Sequence, residues 1–108
     1  MAALSRRTYW LLFLSLDGKV PAEDSKRLGV GKTLKSYMVK TFVGSRDMAE
    51  KKIRQISRIG FSKQYRCFVL NEDTYKKVAK IGSMVKYADL VPIVSKHDIH
   101  RFVTQVYE

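Results

Sequence analysis

From position 9 to 16 the chain reads Tyr-Trp-Leu-Leu-Phe-Leu-Ser-Leu, almost wholly apolar and without alternation. A strand takes this form when both its faces are covered, because neither side must present polar groups to water. The pattern predicts a central strand over residues 9–16, ended by the turn pair Asp17-Gly18. Residues 36–43 are rich in aromatic and β-branched side chains and stop at Gly44, which predicts a second strand, with a helix from Thr33 as the rival reading. A third strand is expected over residues 64–70. A fourth is expected over residues 90–94, moved toward a sheet edge by Pro92, which has no N–H for a ladder.

Between these runs the apolar period lengthens to that of helices. Pro21-Ala22-Glu23-Asp24 places proline and acids in a first turn, and Gly29 closes the short helix that follows. Ser45 suits the N-cap of a helix reaching residue 59 and stopped by Gly60. Ala49, Ile53 and Ile56 share one side of it, leaving Lys51, Arg54 and Arg58 on the other as a basic ridge. Asn71-Glu72-Asp73 opens a further helix through residue 80, closed at Gly82, whose outward Lys76, Lys77 and Lys80 make a second ridge. Ser95, with Asp98 three residues on, predicts a capped final helix with an apolar stripe of Ile99, Phe102, Val103 and Val106, a candidate partner interface or a face docked on the sheet.

Strand and helix alternate, so the expected fold class is α/β: a single compact domain, residues 1–108, of about four strands alternating with three or four helices. A ferredoxin-like α+β sheet is the alternative topology. The 108 residues suffice for one hydrophobic core and not for two, and 45% hydrophobic content sets the chain apart from a disordered basic tail. No apolar stretch is long enough to span a bilayer. The single cysteine, Cys67, permits no internal disulfide and no cysteine-based zinc site, which points to a reducing, cytoplasmic setting (or nuclear in a eukaryote). Residues 5–16 resemble a twin-arginine export signal around Arg6-Arg7, but the apolar run is short and no small-residue cleavage site follows, so export is not expected.

Charge then narrows the function. The formal net charge is +11, and residues 1–83 hold 18 Lys and Arg against 7 Asp and Glu, whereas residues 84–108 hold 3 of each. Such a field attracts polyanions and favours a directional basic face. Aromatics interleave with the bases at Lys35-Ser36-Tyr37, Lys40-Thr41-Phe42 and Lys63-Gln64-Tyr65-Arg66, the combination that stacks nucleobases while neutralising phosphates. The expected function is a non-enzymatic nucleic-acid binder, for RNA or DNA, gripping phosphates through Arg46, Lys51, Lys52, Arg54, Arg58, Lys76, Lys77 and Lys80. Lys32 and the rings of Tyr37 and Tyr65 are added candidates. A small interaction or inhibitor protein on an acidic protein surface is the second class.

Other motifs are incomplete. Gly31-Lys32-Thr33 matches the end of a phosphate-binding loop, but Lys26 stands where that loop needs its first glycine. Residues 12–16 resemble one strand motif of RNA-recognition-motif domains, and nothing over residues 61–69 reproduces the other. His97 and His100, with Asp17 and Asp89 at predicted strand ends, outline the third class, a metal-dependent nuclease, but no complete ligand spacing appears. No cofactor and no metal are expected.

Overall fold

The two-sided apolar character of the first strand dictates the architecture seen in the computed structural model, which describes residues 6–58, 64–95 and 98. Strand β1 (Arg7–Ser15) is the centre of a three-stranded antiparallel sheet of order β2-β1-β3, with β2 (Tyr37–Gly44) and β3 (Tyr65–Leu70) as its edges. Leu12 lies between Val39 and Phe68, and Phe13 between Met38 and Cys67. Because successive side chains point to opposite faces, this register sorts the apolar residues into two cores.

Leu11 and Phe13 face one side, where they meet Met38, Tyr65, Cys67 and Val69 of the edge strands. Helices α1 (Ala22–Leu28) and α2 (Arg46–Arg58) cover that side through Leu28, Ala49 and Ile53. Leu12 and Leu14 face the other side with Tyr37, Phe68 and Leu70. There α3 (Glu72–Ile81) and the single turn α4 (Tyr87–Leu90) supply Val78 and Leu90. The result is a compact mixed α/β domain with helices on both faces.

Local chemistry agrees with these boundaries. Gly29 follows α1 at φ 80°, a left-handed cap that suits glycine, and its N–H returns to the Lys26 carbonyl. Lys40 Nζ donates to the Leu28 carbonyl at 2.9 Å, satisfying an orphan acceptor at the same helix end. The Asn71 side chain accepts from Thr74 N–H at 2.9 Å and so caps α3, while Ser45 Oγ accepts from Met48 N–H at the start of α2. Since β2 and β3 both run antiparallel to β1, they are parallel to each other, and β2-α2-β3 is a split βαβ unit with β1 inserted.

One expected element is absent. Residues 90–94 do not form a fourth strand: Leu90 closes α4, and Val91, Ile93 and Val94 donate back to carbonyls of Tyr87 and Leu90 in successive turns. A short apolar run has no period that tells strand from turn, and here local bonds satisfy the backbone while Ile93 and Val94 pack on the second core. Asp98 Oδ2 accepts from both Ser95 N–H at 2.9 Å and Ser95 Oγ at 3.1 Å; the helix expected after Ser95, with its apolar stripe of Ile99, Phe102, Val103 and Val106, lies outside the described residues.

Truncating the central strand should therefore cost far more than truncating the surface. Leu12→Ala, at a fully buried site, is expected to lower unfolding free energy by about 2–5 kcal/mol. Leu34→Ala, 89% exposed, is expected to change it by less than about 0.5 kcal/mol. Urea unfolding of both variants, compared at unchanged m-value, measures the difference.

Candidate nucleic-acid interface

Helix α2 packs through Ala49, Ile53 and Ser57, which are buried, with Ile56 against their edge. Helical spacing then fixes what faces outward. Lys51, Arg54, Gln55 and Arg58, at i, i+3, i+4 and i+7, are all exposed and together line an open groove of about 340 Å³. Lys52 is half-buried on the flank of this ridge. On α3 only Val78 is fully buried, with Thr74 and Tyr75 beside it, so Lys76, Lys77 and Lys80 all face solvent. Lys76 shares its charge with Glu72 at 3.7 Å across one turn.

The two ridges are real but do not adjoin. Helix α2 belongs to the core under Leu11 and Phe13, and α3 to the core over Leu12 and Leu14, so the sheet stands between them. No single flat surface carries both. Lys26 and Arg27, exposed on α1, are on the α2 side of the sheet, whereas Arg66 and Lys86 accompany α3.

Several expected contacts have other work. Tyr37 and Tyr65 are 3% and 1% exposed and cannot offer a ring to a base. The Tyr65 hydroxyl donates to Asp24 Oδ2 at 2.6 Å beneath the sheet, tying α1 to β3. Strand alternation explains why the neighbouring charges misled: Tyr65 points into the first core and Arg66 out of the opposite face, where its guanidinium lies 4.3 Å over the Tyr87 ring. Arg46 sits 3.3 Å from Asp98 Oδ1 and 3.7 Å from Glu50, so it ties Asp98 to α2. Lys32 lies in an exposed loop on the α1–β2 connection.

The same clamp borders a second concave region that sequence reading missed. Because β2 and β3 are parallel, the starts of α2 and α3 lie at one end of the sheet. There Arg7, Thr8, Trp10, Arg46, Glu72 and Asp73 surround an open cleft of about 600 Å³. Its walls carry both signs of charge, and Trp10 is stacked on Tyr75 at 5.2 Å. No local signal announced it, since its walls come from three strand or helix ends that only the fold assembles.

The residues considered for metal chemistry are engaged in turns. Asp17 Oδ1 accepts from Ser15 Oγ at 2.8 Å and from Lys19 N–H at 3.0 Å, and these bonds, the serine first, hold its carboxyl below the ordinary value. Asp89 Oδ2 accepts from Lys86 N–H. His97 and His100 lie outside the described residues, among which no group of three His, Cys, Asp or Glu side chains could hold a metal ion. No helix among the described residues is long and apolar enough to cross a membrane.

Comparison with known proteins adds no relative: no family model, no curated protein and no solved structure matches the chain. Functional inference therefore rests on the surface itself.

Two outcomes test these assignments. Tyr65→Phe, which leaves the buried Asp24 carboxyl without that donor, should cost about 1.5–3 kcal/mol of stability in denaturant unfolding, while nucleic-acid affinity at a temperature where the variant is folded stays unchanged. Burial pushes the Cys67 thiol far above its ordinary value, so a thiol-specific chromogenic reagent should label the native protein only as fast as it opens, and at once in denaturant.

Proposed function

We propose that this chain is a non-enzymatic nucleic-acid-binding protein that holds its ligand from the α1–α2 side of the sheet, through phosphate and groove contacts made by the outer face of α2. One observation carries the reading: Lys51, Arg54, Gln55 and Arg58 are exposed and line one groove on the outer face of a helix anchored by Ala49 and Ile53. Lys26 and Arg27 extend positive charge on that side, and the net charge of +11 supplies long-range attraction to a polyanion. The α3 ridge, turned the other way, serves as a weaker accessory surface. A reducing compartment such as the cytoplasm fits the single cysteine.

Binding to a generic oligonucleotide should weaken steeply between low and physiological salt, because each neutralised phosphate releases counterion. Arg54→Glu with Arg58→Glu should reduce affinity at least about tenfold and lower the salt slope by about two, while Lys77→Glu with Lys80→Glu should have a smaller effect. Fluorescence anisotropy over a salt series measures both, with circular dichroism confirming that each variant is folded. A flat salt response, or a physiological complex that survives nuclease digestion, would instead assign the basic face to an acidic protein.

A further inference from the structure

We propose that the end of the sheet where β1 stops and β2 begins docks on an anionic membrane surface, with Leu34 and Met84 entering the headgroup region and the lysines beside them meeting lipid phosphates. This contact does not depend on the α2 reading. Three connections come together there: residues 16–20 after β1, residues 29–36 before β2 and residues 81–86 around the end of α3. Ser15 N–H donates to the Ser36 carbonyl at 2.9 Å, Ser36 N–H to the Ser83 carbonyl at 2.8 Å, and Ser36 Oγ to the Val85 carbonyl at 2.6 Å. The Met84 methyl group links the third connection to the first, 4.0 Å from where a Cβ on Gly18 would stand.

Each connection offers apolar side chains to solvent. Leu34 is 89% exposed, Met84 57%, Leu16 47% and Ile81 43%, and these are four of the seven large hydrophobic residues exposed among the described residues. Exposed apolar residues scattered singly are ordinary, whereas a gathering of them marks a contact surface. Lysines flank every one: Lys19 follows Leu16, Lys32 and Lys35 bracket Leu34, and Lys80 and Lys86 bracket Ile81 and Met84. All five lysines are exposed, and none makes a salt bridge among the described residues. Lys35 Nζ lies 5.5 Å over the Tyr37 ring, which positions the ammonium without neutralising it. Asp17 is the single acid in the three connections, and its carboxylate accepts from Ser15 Oγ and Lys19 N–H.

The topology produces this polarity. Helices α2 and α3 both start at the opposite end of the sheet, where Asp47, Glu72 and Asp73 occupy first turns, as the helix dipole favours. That end mixes acids with Arg7 and Arg46, so the lysine-flanked end is the one an anionic surface attracts.

Shape selects a bilayer over a folded partner. A protein interface is packed as densely as an interior, but these side chains stand on separate loops, and Leu34 packs on almost nothing. A membrane interface conforms to single protruding apolar groups, and the strength of binding grows with their buried area plus the attraction of bases to anionic lipid. Lysine suits that setting, since its carbon stem lies in apolar surroundings while the ammonium reaches the headgroups. Nucleic-acid phosphates would use the lysines and leave Leu34 in water. The contact is peripheral, no described helix being long and apolar enough to cross a membrane.

The test floats the full chain with vesicles of phosphatidylcholine alone and of phosphatidylcholine containing about 30% phosphatidylglycerol. Binding to the anionic vesicles only is expected, and added salt should weaken it. Leu34→Ser should lower it at least about tenfold, and Lys32→Ala and Lys35→Ala about fivefold each. All three side chains are exposed, and circular dichroism checks that each variant is folded. Because Cys67 is buried, the new thiol of Leu34→Cys can be labelled selectively with a polarity-sensitive fluorophore. Its emission should shift to the blue on anionic vesicles, while the same label on Gln55→Cys, on the outer face of α2, should not shift.

No binding to anionic vesicles, equal binding by Leu34→Ser, or a blue shift at position 34 no larger than at position 55 overturns the membrane contact. So does an equal loss of oligonucleotide affinity in Leu34→Ser, which would assign the loop end to nucleic acid. None of these results changes the salt and charge-reversal tests of the α2 face.

Discussion

Four consecutive residues, Leu11, Leu12, Phe13 and Leu14, are each at most 1% exposed, and the rest of the structure follows from having to bury them. A strand that is apolar on both faces needs a partner strand on each edge and a helical layer above and below. Burying side chains of this size is worth roughly 1.5–3 kcal/mol each, so these four alone contribute an amount comparable to the net stability of a small domain. That weight explains why β1 lies at the centre although it comes first in the chain, and why each later element docks on it or beside it.

The same constraint decides how charge is displayed. A helix covering the Leu11 side must turn its polar face away from the sheet in one direction, and a helix covering the Leu12 side in the other. Lys51, Arg54 and Arg58 therefore look out opposite to Lys76, Lys77 and Lys80. A large positive charge spread over two outward faces attracts a polyanion from any approach, but close contact belongs to one face at a time. In the proposed reading the α2 face takes the ligand because Lys51, Arg54 and Arg58 line one groove together with Gln55.

Burial also changes the meaning of two residue types that drew attention as ligand groups. Tyr65 acts as a bolt between β3 and α1 through Asp24, and Arg46 as a clamp between α2 and Asp98, whose backbone carbonyl accepts from Val69 N–H of β3. Both use the polar end of a long side chain to pin separate pieces of chain where a ligand contact was expected. Satisfying such groups inside the protein is what keeps their burial from being costly.

Local pattern was sufficient where a segment's own residues decide its structure. The unbroken run of residues 9–16 read as the two-sided central strand; Gly29 and Asn71 marked helix ends through their own backbone and side-chain chemistry; and the i, i+3, i+4, i+7 spacing on α2 assigned Lys51, Arg54 and Arg58 to the solvent side. Residues 90–94 were misread because a few apolar positions carry no period, and packing on the second core chose turns over a strand. The inward direction of Tyr37 and Tyr65 and the cleft beside Trp10 depend on strand register and on which ends of the sheet meet. Those relations join residues far apart in the chain, so hydrophobic spacing predicts which face of an element is covered, while only the assembled sheet decides which faces look the same way.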